Sequence, residues 1–365
     1  MKKSLIVMAV LAASGAASAQ STVTLYGLAD VFVGSTRVKT SGTGLSTSQR
    51  QTVVDGSGFN TSRFGLKGSE DLGGGLKANF VLEGGYDIST GAANNYVNPF
   101  GAAGNSSSST FGRQSWVGVS GGFGELKLGK MWTPYDEVKG SGAAAFDANI
   151  FAPANGVWLS NNYQDRPGNS IYYSTPNFGG LSAAASYSFG ENKTATVDAG
   201  SIVSANIQYA GGPFAVALSH QQEKATDAQT AAKFTQLNGS WDFRVVKLLA
   251  AYGQVRNSTT GLFVPATGTP PTVTPIALRK SQEVQLGLDV PLGAVTVSGG
   301  VSRAKLTLAT GGGEITSTGV GVAAKYDLSK RTFLYTGLQL AKNEAAVGNG
   351  EIKTDTFAVG VQHKF

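Results

Sequence analysis

The stretch "GGFGELKLGKMW", Gly121 to Trp132, contains G-x-x-x-x-G-K from Gly124 to Lys130. A phosphate-cradling loop of that pattern needs converging backbone amides and a following Ser or Thr for the magnesium. Met131 stands where the hydroxyl belongs, and Leu126 and Leu128 alternate with Glu125 and Lys127 as in a strand. The pattern predicts a hairpin turn, "SGGFG", leading into a strand. A serine hydrolase needs a general base, usually His. The chain has two, His220 and His363. Each continues the alternation of apolar neighbours, His220 with Phe214, Val216 and Leu218, and His363 with Val361 and Phe365, so neither is placed beside an activated Ser. No His/Asp/Glu cluster has metal-ligand spacing, and absence of cysteine excludes thiolate chemistry. What remains are charged side chains scattered through alternating segments, and chemistry that depends on which way they point.

Of the 365 residues, 50 are Gly, 41% are hydrophobic and 14% charged, against roughly 25% charged in a soluble domain. The 34 aromatic residues recur throughout, which disfavours a disordered chain. The start, "MKKSLIVMAVLAASGAASAQ", has two lysines, a short apolar run and Ala17-Ser18-Ala19, the pattern of a cleaved export signal over residues 1–19. Its loss removes Lys2 and Lys3 and takes the formal charge from +6 to +4 for residues 20–365. Beyond it no stretch approaches the ~18 apolar residues of a membrane helix. A barrel of strands, each with one face in lipid, remains open.

Period-two alternation dominates the rest. In "TDTFAVGVQHKF", Phe357, Val359, Val361, His363 and Phe365 share one face, with Thr356, Ala358, Gly360, Gln362 and Lys364 on the other. "LSAAASYSFG", "LKANFVLEGGYD" and "SQEVQLGLDV" repeat the pattern. Seven tight turns, "EDLGGGL", "SGGFG", "TPNFGG", "AGGP", "FRVVK", "PLGA" and "LSKRT", alternate with eight longer polar segments near 36–58, 91–108, 131–168, 190–200, 223–231, 257–280, 309–314 and 343–352. These predict sixteen antiparallel strands, all-β, in a closed transmembrane barrel with short turns on one side and long loops on the other. "VTLYGLADVFV" is expected to pair with the last strand and remove both edges.

These segments resemble the trimeric general diffusion porins of Gram-negative bacteria, in the branch of Burkholderia, Neisseria and Comamonas relatives. The matching stretches are "STVTLYGLADV", "SRFGLKGSEDLGGGLKANFVLE", "FGRQSWVGVSGGFGELKLGK", "RPGNSIYYSTPNFGGL", "AAKYDLSKRTFLYTGL" and "VGVQHKF", spread over the whole mature chain. Lys130 departs from the family, which often has Arg there, and Met131-Trp132 stands where Gln is common. The resemblance implies an outer-membrane homotrimer passing small hydrophilic solutes and ions, surrounded by outer-membrane lipid and lipopolysaccharide, with no cofactor. It implies a third loop, about residues 131–168, folded inward with acids facing a basic wall. It also implies that Phe365 is read by the barrel-assembly machinery.

Alternation assigns the inward charges. Phe64 and Leu66 outward put Arg63 and Lys67 in the lumen. Trp116 outward puts Arg113 in the lumen. Lys77 and Glu83 oppose Phe80 and Leu82, and Lys127 opposes Leu126 and Leu128. Arg63, Arg113 and Arg166 also match wall arginines of the family. Lys130 shares the parity of Leu126 and Leu128, so either the strand ends first or it points to a trimer interface. Asp136, Glu137, Asp147 and Asp165 are the loop acids, Asp147 being the first choice for the constriction and Asp136 for an anchor. Basic side chains around a narrow ring predict a modest anion preference. Tyr26, Tyr172, Tyr209, Tyr326, Tyr335 and Phe365 are candidates for interfacial girdles, although Tyr172 also reads as inward. The alternatives are a substrate-specific channel or barrel adhesin, and, less well supported, a barrel enzyme. The positive charge is too dispersed for nucleic acid.

Overall fold

A computed structural model describes residues 22–42, 45–93, 109–139, 150–226, 229–264, 272–311, 313–344 and 350–365. The export signal proposed for residues 1–19 and Asp147 lie outside these residues. Strands β1 (Thr22–Gly42), β2 (Leu45–Gly56), β3 (Arg63–Gly73), β4 (Leu76–Gly85), β5 (Gln114–Gly121) and β6 (Gly124–Lys130) come first. A one-turn helix α1 (Pro134–Glu137) follows, then β7 (Ser170–Ser174), β8 (Leu181–Phe189), β9 (Ala199–Gly211) and β10 (Phe214–Thr226). The chain continues with β11 (Ala232–Asp242), β12 (Lys247–Val264), β13 (Thr272–Leu292) and β14 (Val295–Leu308). It finishes with β15 (Glu314–Asp327), β16 (Thr332–Glu344) and β17 (Glu351–Lys364).

All segments join one antiparallel sheet that closes on itself. β1 pairs with β2 along its second half and with β3 along its first, so β2 and β3 form one stave and the barrel has sixteen. Closure runs from Leu28↔Lys364 to Ser41↔Glu351 between β1 and β17. Gly27 and Phe365 then exchange backbone hydrogen bonds of 3.1 and 3.0 Å. The seven tight turns fall where the sequence predicts them, five of them at glycines and two, 243–247 and 328–332, without glycine or proline. In the first, Gly73, Gly74 and Gly75 hold φ of 83°, 61° and 82°, where a Cβ is unfavourable.

The long segments depart from expectation in two places. The segment 36–58 is mostly strand, with β1 reaching Gly42 and β2 starting at Leu45. The segment 257–280 is likewise built largely from extensions of β12 and β13, paired as far as Val264↔Thr272. Polar Ser- and Thr-rich sequence reads as loop, but the antiparallel ladder continues through it, with Thr36 and Thr40 buried on one face of β1. The break at 57–62 was also unforeseen. There Asp30 accepts N–H bonds from Gly58, Phe59 and Asn60 at 2.9, 3.2 and 2.9 Å, and the Tyr335 hydroxyl at 2.5 Å.

The faces are inverted relative to a water-soluble protein. Leu218, Leu237, Leu248, Leu286, Val301, Val320, Phe357 and Val359 are exposed on the outside. Ser204, Asn206, Gln221, Asn238, Glu283, Gln285 and Gln362 are buried inside. Tyr209 and Tyr326 are exposed on the outer face, and Tyr209, Phe214, Trp241 and Phe243 form a chain of ring contacts beside the short turns. Tyr26, Tyr172 and Tyr335 instead turn inward, correcting the girdle expectation for these three. Their hydroxyls bond to Glu83, Glu137 and Asp30, partners that exist only in the lumen.

Inside, residues 150–163 pack against the wall. Phe151 joins Phe32, Phe333 and Tyr335 in one apolar cluster. Tyr135, Val157, Trp158 and Leu159 join Phe234, Val255, Leu306 and Ile315 in another. The wall gives way to the loop at two glycines. A Cβ on Gly319 would lie 1.9 Å from the Pro153 carbonyl oxygen, and one on Gly321 2.0 Å from that of Phe151. Gly321→Val is expected to cost about 1–3 kcal/mol through overpacking and to raise open-channel noise. Denaturation midpoints and single-channel recording check this, and wild-type behaviour in both would mean the loop is not held at this wall.

Candidate functional site

Strand ends deliver the site. β3 begins at Arg63, β4 carries Glu83 near its end, and Arg113 immediately precedes β5, its N–H donating to the Glu83 carbonyl at 3.1 Å. Glu83, 5% exposed at its side chain, gathers the side chains. Arg113 Nε donates to Oε1 at 2.8 Å, Tyr26 donates to Oε2 at 3.0 Å, and Arg63 Nε lies 3.6 Å from Oε2. Trp132, two residues past β6, is shared by two guanidinium groups, Arg166 at 4.0 Å from the ring centroid and Arg113 at 5.6 Å. Arg166 pairs with Asp165 at 2.9 Å, and Lys130 donates to the Arg166 carbonyl. Four bases thus meet two acids, a local excess of two positive charges. Burial of guanidinium groups side by side is tolerable here because each keeps an acid or a π face.

A second cluster surrounds Lys127. Its ammonium lies 4.5 Å from the Tyr172 ring centroid and 5.0 Å from that of Trp116, and 3.0 Å from a Glu125 carboxylate oxygen. The Tyr172 hydroxyl donates to Glu137 Oε2 at 2.6 Å. Glu137 ends α1, which starts with Thr133 as N-cap and Pro134 at the first helical position. Loss of hydration raises the Glu137 pKa above the ordinary glutamate value, against the opposing pull of Tyr172 and Lys127.

The inward segment is clamped by wall side chains. Asn206 Nδ2 donates to the Pro134 carbonyl at 2.7 Å and Asn238 Nδ2 to that of Val138 at 2.9 Å. Glu283, fully buried, accepts the Leu159 N–H at 2.8 Å together with the Ser160 N–H and hydroxyl. Gln339 Nε2 donates to the Asn155 carbonyl at 3.0 Å. Tyr163 donates its hydroxyl to Asp136, which ties Asp136 into the loop's own packing.

The structure brings Arg63, Arg113, Arg166 and Lys130 together and sets Lys127 and Glu137 in the neighbouring cluster. Lys77 is elsewhere. It lies on the lumen parity of β4 but six residues from Glu83, about 20 Å along a strand. Two parity arguments fail. Val117 and Val119 face out, so Trp116 faces in. Arg113 reaches the lumen because it precedes the strand, not because it opposes Trp116. Lys130 escapes the outward parity of Leu126 and Leu128 because Gly129, at φ 131°, breaks the alternation. A Cβ there would lie 2.3 Å from the Ser115 carbonyl oxygen. The sequence reading placed neither Glu83, Trp132 nor Tyr26 in the constriction, and took Tyr26 for a girdle residue. Glu83 was legible as an inward acid, whereas nothing in sequence placed Trp132 between two arginines. Among the described residues no group of three or more His, Asp or Glu is arranged to hold a metal.

A closed barrel of sixteen staves, apolar outside, with a charged and loop-narrowed lumen, is an outer-membrane channel. The chain belongs to the Gram-negative porin family, whose pattern it matches over residues 5–346. It is 36% identical to outer membrane porin protein 32 of Delftia acidovorans, over 99% of this chain and 95% of that one. It is 31% identical to an outer membrane porin of Bordetella pertussis over the full length of both. Among solved structures it is similar to the anion-selective porin from Comamonas acidovorans, with a TM-score of 0.70 and 28% identity over 94% of this chain and all of that one. The chain is therefore a porin of the Gram-negative outer membrane, a channel and not an enzyme. The alternative of a substrate-specific channel or adhesin is not favoured.

Two outcomes follow from the geometry. Glu83→Gln leaves Arg113 without its buried partner, and a loss of about 3 kcal/mol is expected, read as a lowered denaturation midpoint. The same variant should shift the reversal potential toward the anion side. Glu137, with its raised pKa, takes up a proton at a higher pH than an ordinary glutamate. Acidification then removes a negative charge from the lumen and shifts selectivity toward anions. Reversal potentials recorded from pH 7 downward should show this rise in the wild type and a smaller one in Glu137→Gln.

Proposed function

We propose that this porin is a general diffusion channel with a modest anion preference, and that Arg63, Arg113, Arg166 and Lys130 form the basic wall of its constriction. The observation that carries the reading is the gathering of three arginines around one carboxylate and one indole, beside the clamped loop. Arginine stays protonated at any physiological pH, and its planar donors attract a hydrated anion without requiring it to shed all its water. Arg63, the least covered of the three at 27% side-chain exposure, meets the solute first. Lys127 and Glu137 make a second charged step, and the loop acids, Asp147 and Asp136 included, supply the opposing charge. A transverse field of this kind orders water and disfavours apolar solutes, which displace that water without replacing its hydrogen bonds.

The Comamonas neighbour is called anion-selective, which supports the same sign here. A homotrimer is part of the proposal, in keeping with the trimer form described for the similarly folded OmpT of Vibrio cholerae. So are removal of residues 1–19 on export, recognition of Phe365 by the assembly machinery, and lipopolysaccharide as a neighbour in the outer leaflet. The test is a reversal potential under a salt gradient in a planar bilayer. Wild type is expected on the anion side, and Arg63→Gln with Arg113→Gln to bring it close to zero. A cation-side wild-type potential would overturn the assignment. Steps in multiples of three would count the subunits.

A further inference from the structure

Residues 57–62 interrupt the stave formed by β2 and β3. Along β1 the ladder passes from Leu28↔Arg63 to Val31↔Gly56, so two residues of β1, Ala29 and Asp30, stand opposite six. The surplus chain goes inward as a short strap. The Phe59 ring centroid lies 5.2 Å from that of Phe333 and 5.5 Å from that of Tyr335. A Cβ on Gly58 would lie 2.3 Å from the Tyr335 hydroxyl and 2.7 Å from the Phe32 ring. Phe32, Phe333 and Tyr335 belong to the lumen cluster that also holds Phe151. Ser57, at φ 67°, occupies the left-handed region that favours glycine, a conformation a serine keeps only where its surroundings impose it.

One carboxylate holds the strap. Asp30, fully buried, accepts the Gly58 N–H and the Tyr335 hydroxyl on Oδ1, and the Phe59 and Asn60 N–H groups on Oδ2. A carboxylate in such a place is costly unless its lone pairs are used, and three consecutive amides and a phenol use them. The Asp30 backbone ties both ends of the strap as well. Its carbonyl accepts the Ser57 N–H at 3.1 Å and the Ser62 hydroxyl at 3.1 Å, and its N–H donates to Ser62 Oγ at 3.0 Å. On the other side the Ser62 carbonyl accepts the Tyr86 N–H at 3.1 Å, just past β4. The residue before Arg63 is thus pinned between β1 and the strand that carries Glu83. Arg63 Nη1 donates back to the Thr61 carbonyl at 3.3 Å, and its Nε lies 3.6 Å from Glu83.

We infer that Asp30 is a positioning residue for ion selectivity: by holding residues 57–62 inside the lumen, it sets the height and aim of the Arg63 guanidinium. The role rests on the basic constriction of the proposed function. Asp30 touches no permeating ion, since it is fully buried beneath the strap. Asparagine at this position has the same shape but a different capacity. Whichever way its amide turns, an NH2 group meets donors where an oxygen met them, either Gly58 and Tyr335 or Phe59 and Asn60. The strap then loses its anchor, and Arg63 loses the fixed point from which it reaches Glu83.

The test compares wild type, Asp30→Asn, Arg63→Gln and the double variant as purified, folded porin in planar bilayers, by reversal potential under a salt gradient. Asp30→Asn is expected to lower the anion-to-cation permeability ratio about twofold, as displacement of a charge from a narrow path would. In the Arg63→Gln background the same substitution is expected to change the ratio no further, because the group it acts through is gone. A purely structural role predicts a lowered denaturation midpoint with the ratio unchanged, or an equal fall of the ratio in both backgrounds. Either result overturns the positioning role and leaves the basic constriction standing. An Arg63→Gln porin with the wild-type ratio overturns the constriction reading itself, and the positioning role with it. Where Asp30→Asn does not fold, Ser62→Ala carries the same four-way comparison, since it removes only the hydroxyl that ties the end of the strap to the Asp30 backbone. A smaller fall that vanishes without Arg63 supports the role. No fall, or one that persists without Arg63, overturns it.

Discussion

In a bilayer no water stands ready to accept a backbone N–H, so every amide at that depth must bond within the protein. The closed ladder from β1 round to β17 meets this demand, and everything else in the molecule is arranged around it. Once each stave is committed to neighbours on both sides, its side chains have only two directions. Lipid selects the residues of one face and leaves the other to water, loop and ion. Hence the inverted interior, where Gln221, Glu283 and Gln362 are as buried as Phe151. Gln221 donates to the Gln164 carbonyl, Glu283 accepts the Leu159 and Ser160 amides, and Gln362 accepts from the Asn60 side chain.

The lumen's chemistry depends on how exceptions to the alternation are handled. Charges that simply obey it, such as Lys77, end up along the wall at whatever height the strand assigns. The residues that converge are those just outside strict strand geometry. Arg113 precedes β5, Lys130 follows the left-handed Gly129, and Trp132 and Arg166 lie on the chain between β6 and β7. A ring of charge at one height requires side chains from several staves to reach inward together, and a regular ladder alone does not provide that. Glu83 lets them do so at close range by neutralising part of the repulsion among the guanidinium groups.

Much of the wall was legible because a half-lipid strand and a glycine turn each leave a local signature. The seven turns, the facing of Leu126 and Leu128, and the closure of "VTLYGLADVFV" on "VGVQHKF" required only spacing. What failed was also local in origin. Trp116 reads as lipid-facing because it is large and apolar, yet its ring serves Lys127 inside. Tyr335 reads as a girdle residue, yet its hydroxyl belongs to Asp30. The polar ends of β1, β2, β12 and β13 read as loops because their Ser-, Thr- and Gly-rich sequence carries no regular apolar alternation. The sandwich at Trp132 joins residues 113, 132 and 166 through contacts that periodicity does not record.

The clamps on the inward segment come from residues far along the chain. Pro134 is held from Asn206, Val138 from Asn238, Ser160 from Glu283 and Asn155 from Gln339, separations of 72, 100, 123 and 184 residues. Contacts of such long range form only after the intervening chain is in place. The aperture is therefore a late product of assembly. Strands β9 to β16 must stand before the segment has anything to fasten to, and a half-built wall surrounds a wide, unobstructed hole. Because these fastenings are distributed over four staves, loss of one alters how stiffly the aperture is held and leaves the barrel intact.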